Sequence, residues 1–145
     1  MTKVFLASAL GFVALLFAGT ALAVSSLTID GKATLSDSKT SVVATGTIVC
    51  PVGFFANVNV TVVQSSGQAD THGFGTDDFI CSGQVQSWAV LVNVFIGEAY
   101  KPGPAIALFS ANSCSGDPTI PPDPDEDPIF CTFIPTSVEG IKIHK

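Results

Sequence analysis

The chain has 145 residues, with six lysines, no arginine and twelve acidic residues, and its formal net charge is −6 at pH 7. An acidic chain without arginine is a poor partner for nucleic acid, because phosphate binding depends on basic patches. The same charge balance disfavours adsorption to an anionic membrane.

Residues 1–23 have the pattern of a cleavable export signal. Lys3 provides a basic start, an apolar run follows from residue 4 to residue 17, and Ala21-Leu22-Ala23 matches a cleavage site. The remaining residues, 24–145, are about as many as one domain contains. No second long apolar run follows, so we expect no membrane insertion after cleavage and a secreted, periplasmic or cell-surface location.

The rest of the chain alternates between apolar and polar residues in short segments, which is typical of β-strands. In chain order these segments are residues 26–30, 33–36, 41–50, 56–65, 76–81, 86–95, 105–111 and 138–144. Gly, Pro, Ser and Asp separate them. The pattern predicts an all-β protein, a single antiparallel immunoglobulin-like β-sandwich of about seven to eight strands, with a barrel as the alternative. Trp88 alternates with Val90 and Val92, so we expect it in the core.

Residues 113–135 form an acidic, proline-rich excursion that cannot be a central strand. Its acidic residues are Asp117, Asp123, Asp125, Glu126 and Asp127. Carboxylates suit Ca²⁺, but the spacing matches no EF-hand loop and the prolines stiffen the segment. With only His72 and His144 as imidazoles, a zinc or copper site is also not expected. We predict a solvated loop and neither a metal nor another cofactor.

Four cysteines follow the export signal, which indicates disulfides formed in an oxidising compartment. They allow three pairings. If consecutive strands alternate in direction, Cys50, Cys81 and Cys114 all emerge at one end of the domain. The pairing Cys50–Cys81 and Cys114–Cys131 then best fits the short distance that a disulfide requires.

His72 is the one candidate for acid–base catalysis, since Asp70, Asp77 and Asp78 are close to it in the sequence. However, the chain has no G-x-S-x-G nucleophile motif, and a histidine beside a glycine in a loop is typical of a turn. Gly73-Phe74-Gly75 is interpreted as backbone that needs glycine's unusual φ before a strand. We predict no catalytic residues.

Phe54 and Phe55 are the candidate contact residues. They follow Cys50 in a loop, and adjacent residues of an extended chain point to opposite sides, so both cannot be fully buried. We therefore predict a non-enzymatic exported binding or structural module that acts through surface contacts with a protein, a glycan or a small apolar ligand. One alternative is a carrier of a small apolar ligand, which predicts an apolar cleft of a few hundred Å³. Another is a secreted hydrolase, which predicts a cleft with converging polar groups.

Four motifs carry a resemblance that covers most of residues 24–145. They are Thr45-Gly46-Thr47-Ile48-Val49-Cys50, Gly73-Phe74-Gly75-Thr76 followed after four residues by Cys81-Ser82-Gly83, the single Trp88, and Lys101-Pro102-Gly103-Pro104-Ala105. In order and spacing they resemble an uncharacterised family of small exported bacterial immunoglobulin-like β-sandwich domains. The resemblance implies a one-domain, disulfide-linked exported protein and implies no activity. The second cysteine pair and the acidic excursion depart from the family pattern.

Overall fold

The computed structural model describes residues 26–67, 69–116 and 128–145. The described chain forms the strands β1 (Ser26–Leu35), β2 (Ser41–Val49), β3 (Phe55–Ser65), β4 (Asp70–Ile80), β5 (Gln86–Ile96), β6 (Gly103–Cys114) and β7 (Cys131–His144). The all-β prediction is confirmed. The segments predicted at 26–30 and 33–36 are two halves of β1, which has an irregularity between Ile29 and Ala33.

The strands form one closed sheet in the order β1-β2-β5-β4-β3-β6-β7, and β7 returns to β1. All neighbours are antiparallel except β1 and β7, which run parallel. The prediction of an immunoglobulin-like sandwich is therefore wrong, because the described strands close into a seven-stranded barrel.

Two short ladders of three residue pairs each close the barrel. One joins β4 to β5 between His72 and Phe74, and the other joins β1 to β7 between Lys32 and Thr34. The inward and outward faces of a strand alternate in the same way in a sandwich and in a barrel. The sequence pattern therefore could not separate the two architectures, and the closing contacts decided between them.

Gly73 and Gly75 allow the close approach of β4 to β5. A Cβ on Gly75 would collide with the carbonyl oxygen of Leu91, and a Cβ on Gly73 would lie 2.9 Å from the carbonyl oxygen of Asn93. Neither glycine is among the residues with positive φ. The expectation that this segment needs glycine's backbone freedom is therefore wrong. Glycine is needed at these two positions because a side chain there would meet atoms of β5.

Apolar side chains fill the interior of the barrel. Its centre consists of valines that are 0% exposed, namely Val42, Val58, Val60, Val62, Val90 and Val92. Trp88 is 2% exposed and belongs to the same core, as its alternation predicted. The hydroxyl of Tyr100, also fully buried, donates a hydrogen bond to the Val62 carbonyl oxygen at 3.0 Å. Burial raises the pKa of Tyr100 to about 12.

Replacing Gly75 by alanine should lower the free energy of unfolding by roughly 2 kcal/mol or more. The added methyl group would collide with the backbone of β5, which cannot move without disturbing the closing ladder. Gly140→Ala in β7 is the matched control, because nothing lies within 4 Å of a Cβ at that position. Urea denaturation of both variants measures the difference, and equal effects would contradict the role given to Gly75.

Tyr100 is the only tyrosine of the chain, so its phenolate absorbance can be titrated without interference from another tyrosine. We expect a pKa near 12 in the folded protein and near the ordinary tyrosine pKa of 10.0 after unfolding in urea. As the pH rises, the unfolded chain loses the phenol proton first, so the stability linked to Tyr100 is present below the unfolded pKa. That stability is lost as the pH rises towards the folded pKa of about 12. Tyr100→Phe should flatten the pH dependence in this window, whereas a folded-state midpoint near 10 would contradict a buried phenol.

Candidate functional site

All four cysteines lie at one end of the barrel, and both predicted disulfides are confirmed. Cys50 is bonded to Cys81 with a Cα–Cα distance of 5.6 Å, and Cys114 to Cys131 with a distance of 4.0 Å. The turn after Cys50 is also held by hydrogen bonds to Cys81. The Gly53 amide donates to the Cys81 carbonyl at 2.9 Å, and the Cys81 amide donates to the Phe54 carbonyl at 2.8 Å. These bonds make the turn a fixed part of the barrel end.

The predicted contact residues Phe54 and Phe55 are both half-buried. Phe54 packs against the core, and Phe55 begins β3 opposite Ile80 of β4. The more exposed apolar side chains near these turns are aliphatic, with Val52 at 74% and Val85 at 72% exposure. The structure thus places the two phenylalanines in a fixed turn, but larger exposed aromatic surfaces lie elsewhere.

Two predicted segments fall outside the described residues: the export signal at 1–23 and the acidic residues of the excursion, Asp117, Asp123, Asp125, Glu126 and Asp127. The base of the excursion is described. The Ser115 amide donates to the Phe130 carbonyl at 2.8 Å, and β7 already begins at Cys131, so residues 131–135 belong to a strand. In the described ranges, no three His, Cys, Asp or Glu side chains come together as a possible metal site.

His72 lies within β4, and not in the turn that the sequence suggested. Its ring is tilted against that of Phe95, with centroids 6.3 Å apart. Strand alternation places Asp77 on the opposite face from His72. Asp78 accepts a hydrogen bond from the Asn57 amide instead. The structure therefore does not bring His72 together with Asp77 or Asp78 as a catalytic pair.

An exposed apolar surface surrounds His72 on the outer face of β4 and β5. We call it the aromatic patch and define it as His72, Phe74, Leu91, Phe95 and Ile96. Phe74 and Phe95 line one shallow apolar depression, and the exposed fractions of the four apolar members lie between 47% for Phe74 and 60% for Phe95. The patch sits where the irregular β4–β5 ladder skips Phe95. The predicted contact residues, Phe54 and Phe55, lie outside this patch.

The signal for the aromatic patch was present in β5. This strand is apolar on both faces: Trp88, Val90 and Val92 point inward, while Leu91 and Phe95 point outward. A strand with one solvated face normally alternates between apolar and polar residues. The loss of alternation over residues 90–96 therefore indicates that the outer face of β5 is not an ordinary solvated surface.

Past Gly75 no further β4–β5 ladder pairs are found among the described residues, and an open cleft of about 620 Å³ lies beside the two strands. Asp77, Phe79 and Trp88 line it, and the side chain of Gln86 bridges its far end by donating to the Ile80 carbonyl at 3.1 Å. The indole N–H of Trp88 is buried without an acceptor among the described residues. The cleft is open to solvent and lined by both polar and apolar groups.

We expect the two disulfides to differ in their rate of reduction by a dithiol under native conditions. Cys131 is exposed, whereas Cys50 and Cys81 are each 2% exposed, so an attacking thiolate reaches only the second bridge directly. Cys114–Cys131 should therefore be reduced first. Alkylation at timed intervals, followed by peptide mapping, measures the order. Simultaneous reduction, or earlier reduction of Cys50–Cys81, would show that global opening controls access.

Two disulfides are consistent with an extracellular location. The part of the chain that the structure describes contains no helix with the length and hydrophobicity needed to span a bilayer. No protein-family model and no curated protein matches the chain. The resemblance to a family of exported β-sandwich domains stays a prediction without support from these comparisons, and the sandwich it implies is replaced by a barrel.

Proposed function

We propose that this chain is a non-enzymatic, exported binding module and that a protein partner docks on the aromatic patch. The observation that carries the proposal is the size and composition of this patch. Phe74, Phe95 and Ile96 adjoin one another on a barrel whose apolar core is already complete without them. Contiguous exposed apolar surface of this kind is typical of interaction sites, and aromatic residues are enriched there.

Export is part of the proposal. The basic start, apolar run and Ala21-Leu22-Ala23 site support cleavage after residue 23, and the two disulfides support an oxidising destination. We place the mature chain in the periplasm, at the cell surface or in the medium.

The charge around the aromatic patch specifies the chemistry of the partner. Asp70 and Glu98 are exposed at the strand ends beside it, and Gly97 lies against the Asp70 backbone, so both acidic residues are at its rim. The whole chain carries a net charge of −6. A protein with an apolar surface bordered by lysine or arginine complements this arrangement, because opposite charges at a rim steer association and like charges oppose it. A second copy of this acidic chain is a poor match.

Site-specific photo-crosslinking tests the proposal. A benzophenone amino acid placed at Phe95 should form a crosslinked product with a single protein of the envelope or secreted fraction of the producing cells. The same group placed at Phe130, which is 67% exposed but lies just before β7, is the matched control and should not form that product. Excess unlabelled protein should compete for the partner, and excess Phe95→Ala protein should compete about tenfold less well.

Phe95→Ala should keep its fold, since truncating an exposed side chain changes stability by about 0.5 kcal/mol or less. Thermal melts of the variant provide this control. Equal crosslinking from both positions would contradict a specific site at the aromatic patch. A dimer of the purified chain in sedimentation, abolished by Phe95→Ala, would contradict the proposed partner chemistry.

A further inference from the structure

A second surface, chemically different from the aromatic patch, lies on the outer face of β3, β6 and β7. It is an open groove of about 370 Å³ that we call the amide groove. Its floor is formed by Asn57, Asn59, Ser110 and Asn112, and its wall includes Phe133 and Thr136. None of the residues that line it is charged. Three amides beside an aromatic ring form a surface for a ligand that is polar, neutral and partly apolar.

Strand register places the key side chains in one row. Asn57 of β3 is the direct cross-strand partner of Asn112 of β6, and Asn112 is the partner of Phe133 of β7. Direct partners on one face lie about 5 Å apart, so their side chains can contact the same ligand. The row therefore presents two amides and one aromatic ring side by side.

A bulge in β7 lies in the wall of the amide groove. The β6–β7 register shifts between Phe109 and Ala111, so that Pro135 and Thr136 stand opposite the single residue Ser110. A bulge bends its strand and redirects side chains, and bulges are frequent beside binding sites. Here the residues of the bulge, Pro135 and Thr136, line the amide groove together with Phe133 and Ile134.

Hydrogen bonds hold two of the amides in place. The Asn59 Nδ2 group donates to Asn57 Oδ1 at 2.6 Å, and the Asn57 Nδ2 group donates to Asp78 Oδ1 at 2.5 Å. Each amide has two donor hydrogens and an oxygen with two lone pairs. The two hydrogen bonds orient the amides of Asn57 and Asn59 before a ligand binds. They use only some of the donors and acceptors of these amides, so the others can still bind a ligand.

Asn112 provides an independent sign of a missing partner. Its Oδ1 atom is buried and accepts no hydrogen bond from the described residues. A buried acceptor without a donor is costly, and it is normally satisfied by ordered water or by a ligand group. The register places Asn112 between Asn57 and Phe133, and the residue lines the amide groove.

Phe133 supplies the apolar part of the surface. It is 72% exposed, which leaves most of its ring available to a ligand. A sugar ring combines hydroxyl groups at its edge, which pair with amides, with C–H groups on its faces, which pack against an aromatic ring. Phosphate or carboxylate ligands would find no counter-charge among the residues that line the groove.

We propose that the amide groove binds a neutral saccharide, with one pyranose ring stacked on Phe133 and its hydroxyl groups bonded to Asn112 and Asn59. The volume of about 370 Å³ lies at the lower end of the range for ligand sites and suits one or two sugar rings. This site is separate from the aromatic patch on β4 and β5 and does not depend on it.

Saturation-transfer NMR and calorimetry with neutral di- to tetrasaccharides of glucose, mannose, galactose and N-acetylglucosamine test the proposal. At least one of these probes should bind with a dissociation constant of roughly 1 mM or tighter. Phe133→Ala should weaken that binding about tenfold or more, since it removes the stacking surface. Asn112→Ala should weaken it as well, at little cost to stability, because its Oδ1 atom has no partner to lose. Val138→Ala is the control: Val138 is 61% exposed in the same strand and lies outside the groove.

Several results would overturn the saccharide site. One is the absence of binding by every probe at roughly 10 mM. Others are binding that Phe133→Ala leaves unchanged, or an equal loss in Val138→Ala. Binding of a tetrapeptide that contains Asn-Gly, without binding of any of the sugars, would also overturn it. The groove would then be a peptide-binding site. Thermal melts of all three variants separate loss of binding from loss of fold.

Discussion

Gly73 and Gly75 bring the backbone of β4 against that of β5, and the closed form of the sheet depends on this contact. Side chains at these two positions would occupy space that backbone atoms of β5 already fill. Without the contact, β4 and β5 would be two sheet edges with unpaired amide and carbonyl groups, which favour association with other chains. The ladder between β4 and β5 skips Phe95 and ends at Phe74. The aromatic patch lies at this irregularity.

The sequence predicted local structure well and the closure of the sheet poorly, for physical reasons. Period-two alternation revealed most strands, and counting strand directions identified both disulfides. Alternation carries no information about which strand edges pair. It therefore could not predict the two ladders that close the barrel, β1–β7 and β4–β5, which have three residue pairs each. The candidate sites were missed for related reasons. The aromatic patch shows in the sequence only as lost alternation in β5, and the amide groove requires the register that aligns Asn57, Asn112 and Phe133.

The outer face of the barrel is divided by chemistry as well as by position. On β4 and β5 it is aromatic and bordered by acidic groups, whereas on β3, β6 and β7 it carries amides around an exposed phenylalanine. Thr61 of β3 lies between the two regions, paired with Phe74 of β4 on one side and with Leu108 of β6 on the other. In the closed sheet, the strands that carry each surface are paired on both sides. Such support limits the loss of entropy when a ligand binds.

The placement of the cysteines has a consequence for proteolysis. Cys50–Cys81 encloses the whole β3–β4 hairpin, whose connection includes the exposed residues Ser66, Gly67 and Ala69, and Cys114–Cys131 encloses the acidic segment between them in the sequence. Exposed turns are the preferred sites of nicking by proteases. A single cut in either enclosed loop leaves the two resulting pieces joined by a disulfide. The chain can therefore be nicked at these loops and still remain one covalent molecule, with both outer surfaces attached to it.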